Sequence, residues 1–289
     1  MDPRGISGAG AAYLELVARP HLSERVQRVQ VQHASLAPDA SAWQRSDLTS
    51  RVVTALTVAA IIAVSALVQS VSGFGFAMVG VPFIAILADP VTAVVAATML
   101  GCIYSTGAAV HQRSRIEWGA LRIVSITALV GMPLGLLIAA RVSPAALSFV
   151  IGVVVITFAV MLGRSPRAVG ARGAAVAGVA SGALLTSTGM NGPPLVFAVK
   201  GRGLDQHGFR ATLQAAFVLQ NIFAIVGFAF VGAVTGQTLT LVAWAVPALL
   251  VGWWVGQRIL PRIDERRFAH IVVGMLVLAG LMSISSALS

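Results

Sequence analysis

Two short motifs carry the residues whose types and spacing could do chemistry. Ser72-Gly73-Phe74-Gly75 and Asn191-Gly192-Pro193-Pro194 each interrupt a long apolar run, and they lie 119 positions apart, from 72 to 191. A helix broken in an apolar surrounding leaves backbone N–H and C=O groups unpaired, at several kcal/mol each unless something satisfies them. The helix that restarts beyond the break points free N–H groups and its positive dipole end at the gap, which makes a ready anion site. Pro193 and Pro194 suit the first turn of such a helix, where a missing N–H costs nothing. Ser72, Thr188 and Asn191 can add side-chain donors. The candidate substrate-binding set is therefore Gln69, Ser72, Gly73, Phe74 and Gly75 at the first tip, and Thr188, Gly189, Asn191, Gly192 and Pro193 at the second. The residues leave a second reading open, in which both breaks are plain kinks whose hydroxyls bond back to the preceding turn.

The span after the second tip holds Gln214, Gln220 and Asn221, at a spacing that puts them on roughly one helical face, and the corresponding span of the first half holds Thr92 and Thr98. Polar residues within spans face a cavity or another helix. Arg210 joins Gln214 in the candidate set, and Arg210 and Lys200 are the cations nearest the path, either as anion contacts or as ordinary loop charge. No Asp or Glu falls inside a predicted span, which argues against a buried carboxylate proton relay. The sequence has no Walker A pattern, GxSxG elbow or paired catalytic carboxylates, and its five His form no HExxH or HxxxH pair. The expectation is a protein that is not an enzyme, with no cofactor and no metal site.

The elements that must position these motifs follow from composition. Hydrophobic residues make up 57% of the 289-residue chain and charged residues 10%, against roughly 25% charge in soluble domains. Apolar segments of about 20 residues suit helices crossing ~30 Å of hydrocarbon. Continuous rather than alternating apolar runs argue against a transmembrane barrel. The net charge of +10 sits in the loops between these segments and does not point to nucleic acid. Cys102 is the only cysteine, so no intrachain disulfide can form.

Segments near 91–110, 119–140, 145–163, 211–234, 238–257 and 269–287 read as ordinary spans. Those at 52–70 and 76–88, and at 174–188 and 193–200, read as two pairs joined at the breaks. Residues 173–200 are too few for two full crossings, which need about 40 residues, so they predict a re-entrant hairpin. The spacing between the tips recurs downstream: Pro90 aligns with Arg210, Thr92 with Thr212, Gly135 with Gly252 and Arg141 with Arg258. A hairpin plus three spans is an odd number of crossings, so the second repeat must be inverted. The expected fold is an all-α polytopic membrane protein of two inverted repeats, 51–168 and 169–289, each a broken helical hairpin followed by three transmembrane helices. This arrangement places the basic loops around Arg113, Arg167, Lys200 and Arg262 on one side, read as cytoplasmic. Residues 1–50 read as a polar, poorly ordered tail without a signal-peptide core. Gly131/Gly135, Gly178/Gly182 and Gly252/Gly256 are small-xxx-small pairs for close helix approach, within one subunit or across a homodimer.

Ser72-Gly73-Phe74-Gly75-Phe76-Ala77-Met78-Val79-Gly80-Val81-Pro82, followed by Asp89-Pro90, resembles the first signature of the sulfite exporter TauE/SafE family. Gly189-Met190-Asn191-Gly192-Pro193-Pro194, followed by Phe209-Arg210-Ala211-Thr212, is similar to the second. The resemblance covers about residues 52–288. It implies a bacterial inner-membrane permease of duplicated design, which exports small sulfur-containing anions such as sulfite, sulfoacetate or other organosulfonates. Phe74 and Phe76 stand where many members have small residues. The residues alone also admit an anion channel or a non-transporting membrane scaffold or sensor.

Overall fold

The computed structural model describes residues 48–162 and 170–259, together with 273–274, 277–278, 281 and 284–285. The described residues form helices α1 (Leu48–Ser72), α2 (Phe76–Leu87), α3 (Pro90–His111), α4 (Trp118–Arg141), α5 (Pro144–Leu162), α6 (Ala171–Thr188), α7 (Gly192–Lys200), α8 (Gln206–Phe230) and α9 (Gly236–Ile259). Among the described residues, five stretches are long and apolar enough to cross a membrane: Thr54–Ser72 of α1, and α3, α4, α8 and α9. Their outer faces carry exposed large apolar side chains such as Val130, Ile222 and Trp244, as helices facing lipid do. The tail, the loop with Arg164 and Arg167, and most of the expected last span lie outside the described residues.

Several helix starts carry side-chain caps. Asp89 accepts from the Thr92 N–H (2.9 Å) and Asp205 from the Gly208 N–H (2.9 Å), so matching acids begin α3 and α8. Glu117 begins α4 by accepting from the Gly119 and Ala120 N–H groups. The cap at Asp205 corrects the expected span at 211–234. Helix α8 begins at Gln206, because the polar turn 206–210 is already helical, and ends at Phe230, ahead of Gly232 at φ 74. Likewise α1 starts at Leu48, inside the segment read as tail.

Helices α2 and α7 are the short arms. At 1.5 Å per residue, their 12 and 9 residues reach about 18 and 14 Å, well short of the bilayer. Each returns from a long arm, α1 or α6, that ends at one of the two breaks.

Packing between the halves is reciprocal. Helix α4 lies against α6, and α9 lies against α1; α3 pairs with α8, α3 also meets α9, and α8 also meets α4. The small-residue pairs make these seams. A Cβ on Gly131, Gly135 or Gly182 would overlap the carbonyl oxygens of Val179, Ala183 and Ala128, and one on Gly252 that of Ala63. All three pairs are thus used between helices of one chain. Within lipid, van der Waals packing rather than the hydrophobic effect holds helices together, so backbone approach of this kind carries the stability. Gly182→Val is expected to abolish the folded state in a detergent melting assay, because backbone cannot give way as a side chain can, whereas Val176→Leu on the exposed face of α6 melts as wild type.

Candidate functional site

The first break is made by two glycines in the left-handed region. Gly73 has φ 81 and Gly75 φ 112, values that L side chains rarely adopt. The Gly73 N–H closes α1 on the Gln69 carbonyl (2.8 Å). Gln69 then serves the next helix as well: its Oε1 accepts from the Phe76 N–H at 2.9 Å. The Val79 N–H reaches the Gly75 carbonyl, which leaves Ala77 and Met78 as first-turn donors with no helical acceptor.

The carbonyls at the end of α1 are met from the other half of the chain. Gln214 Nε2 donates to the Gly73 carbonyl at 2.8 Å, and the Arg210 guanidinium donates to the Ser70 carbonyl. Both come from α8. A cation beside the negative end of a helix is favourable, so Arg210 and Gln214 act on the broken helix end. Tyr104 of α3 completes this cluster, donating to Ser70 Oγ at 3.0 Å.

The second break uses Gly189 at φ 74, whose N–H closes α6 on the Leu185 carbonyl (2.9 Å). Asn191 Nδ2 donates to Gln220 Oε1 at 3.0 Å, and the Ser181 hydroxyl donates to the same oxygen at 2.7 Å. The Gln220 amide continues to the Val124 carbonyl of α4 (3.3 Å). Gln220 of α8 therefore ties α6, the break and α4 together.

The two breaks meet. Phe74 packs on Gly192, whose added Cβ would lie 3.7 Å from the Phe74 Cβ. The starts of α2 and α7 then face one small cavity of about 30 Å³, room for about two waters. Gln69, Gly75, Gly189, Asn191 and Gly192 line it, as do Thr98 and Asn221 from the crossing helices α3 and α8. The other candidates stand elsewhere. Ser72 and Thr188 donate to the carbonyls of Val68 (2.7 Å) and Leu184 (2.8 Å) in their own helices, the back-bonded arrangement that the kink reading foresaw. Gly73, Arg210 and Gln214 belong to the capping cluster, and Pro193 lies in the first turn of α7 beside the cavity rather than on its wall. Lys200 is exposed at the end of α7. Sequence reading missed Ser105, a cavity-lining residue one face-repeat beyond Thr98 on α3; that seven-residue polar spacing was the available signal.

Fold and site together define a multi-pass helical membrane protein with two opposed helix breaks around a small buried cavity. The chain belongs to the sulfite exporter TauE/SafE family, whose model matches residues 58–283. It is 25% identical over 230 residues to a protein of Cupriavidus necator named as a probable sulfite/organosulfonate exporter TauE, covering 76% of this chain and 90% of that one. No solved structure matches. The family is one of transporters rather than enzymes.

Gln69→Leu removes the acceptor of the buried Phe76 N–H. The expected loss is about 1–3 kcal/mol of stability, read as a lower melting temperature in detergent.

Proposed function

We propose that the chain is a secondary transporter, working as an exporter of small sulfur-containing anions such as sulfite or organosulfonates across a bacterial inner membrane. One observation carries this reading: the N-terminal ends of two interrupted helices, one from each half, open onto the same buried cavity. Half-helix N-termini at the meeting point of two repeats suit an anionic substrate. The two starts contribute unequally. Pro193 and Pro194 take two N–H donors out of the first turn of α7, so α2 supplies more backbone donors and Asn191 brings an amide in their place.

The reciprocal helix pairing supports two inverted repeats, 51–168 and 169–289, because exchanging the halves maps α4 against α6 onto α9 against α1. The Arg115–Asp205 contact at 3.6 Å joins two of the basic loops, in keeping with a shared cytoplasmic end. Alternating access then moves bodies that mix the repeats. The tightest backbone seams bind α4 to α6 and α1 to α9, so the seams stay closed and the breaks part where Phe74 meets Gly192. The cavity widens as they part, since about 30 Å³ is too tight for a hydrated oxyanion.

Charge movement on proteoliposomes adsorbed to a solid-supported membrane tests this, with concentration jumps of sulfite, sulfoacetate, taurine, sulfate, acetate and chloride. A saturable current or counterflow signal for a sulfur anion is expected. Asn191→Ala and Gly192→Leu are expected to abolish it while melting within a few degrees of wild type. Normal transport by both folded variants would remove the breaks from the mechanism, and a continuous, non-saturating conductance would replace alternating access with a channel.

A further inference from the structure

The cavity is buried, faces two positive helix ends, and has no ionisable side chain on its wall. The half-buried Arg210 donates to the Ser70 carbonyl and is not on the wall. Among the described residues, the positive potential on the wall itself is that of the starts of α2 and α7. Each helix start is worth roughly half an elementary charge, and two together match about one negative charge.

Neutral side chains supply the rest. Asn221 of α8 is 5% exposed, lines the cavity with its amide over Gly101, and has no hydrogen-bond partner among the described residues. Ser105 of α3, also on the wall, has a buried Oγ with no partner among them. A buried hydroxyl left unpaired is costly in such a setting, so this wall suits a polar guest. Gln69 spends its Oε1 on the Phe76 N–H, which leaves it only NH₂ donors for that guest.

We infer that the cavity, read as the transport site proposed above, is matched to a single negative charge: it takes monoanionic sulfonates and hydrogensulfite and discriminates against the dianions sulfite and sulfate, with Asn221 and Ser105 as side-chain ligands. The Born cost of desolvating an ion grows with the square of its charge, roughly fourfold from monoanion to dianion. The attraction to two helix ends grows only in proportion to the charge. With no Arg or Lys on the wall to close that difference, the second charge is unmatched.

The test is isothermal titration of the purified full-length chain, at alkaline pH, with methanesulfonate and methylphosphonate. These ions are isoelectronic and alike in shape, but under those conditions they carry one and two charges. Methanesulfonate is expected to bind at least about tenfold more tightly. Asn221→Ala is expected to weaken it about tenfold, the size of one lost hydrogen bond to a charged group, and Ser105→Ala is expected to weaken it in the same direction. Equal or tighter binding of methylphosphonate, still weakened by Asn221→Ala, would overturn the charge match and leave the cavity standing as the site. Methanesulfonate binding that neither variant changes, or no binding of either ion, would overturn both.

Discussion

A helix can stop inside a membrane only if the peptide groups it releases find partners, and the architecture around the two breaks answers that demand. At the end of α1 the freed carbonyls accept from Arg210 and Gln214, and the first N–H of α2 is taken by Gln69. At the end of α6, Gly189 turns its own N–H back to Leu185, and Gln220 holds the Asn191 amide. Water cannot serve these groups in hydrocarbon, so side chains must. Donors left over at the start of α2, those of Ala77 and Met78, belong to residues that line the cavity.

The partners come from across the molecule, which couples the breaks to the packing. Gln214 and Gln220 sit six residues apart on α8, and one serves each break. Helix α8 is thus a common strut. The glycine seams do the complementary task of holding α4 on α6 and α9 on α1 at backbone contact. The seams are thus at backbone contact, while Phe74 stands at ordinary side-chain distance from Gly192.

Much of this was legible along the chain. Gly and Pro at matching positions of two apolar repeats marked both breaks, and helices α3, α4, α6 and α7 fall within a few residues of their expected bounds. The start of α8 was misplaced because hydropathy underrates a polar first turn that Asp205 caps. Gln69 was singled out as part of a polar tip; that its Oε1 would cap the second helix of the hairpin depends on how the chain turns at Gly73 and Gly75, which no spacing encodes.

Apolar run lengths, the positions of helix breakers and the placement of charge fixed the class of protein, because each is a local property that the bilayer reads directly. Which polar residues are spent and which remain free was decided only in three dimensions. Ser72 and Thr188 look like ligands in the sequence but donate within their own helices. Arg210 looks like an anion contact but holds a helix end. Asn221, one of three polar residues marked on α8, lines the cavity, and Ser105, which the sequence reading passed over, is left unpaired on its wall. A side chain's partner is set by what the opposing helix brings within about 3 Å, and that distance exists only once the seams have closed.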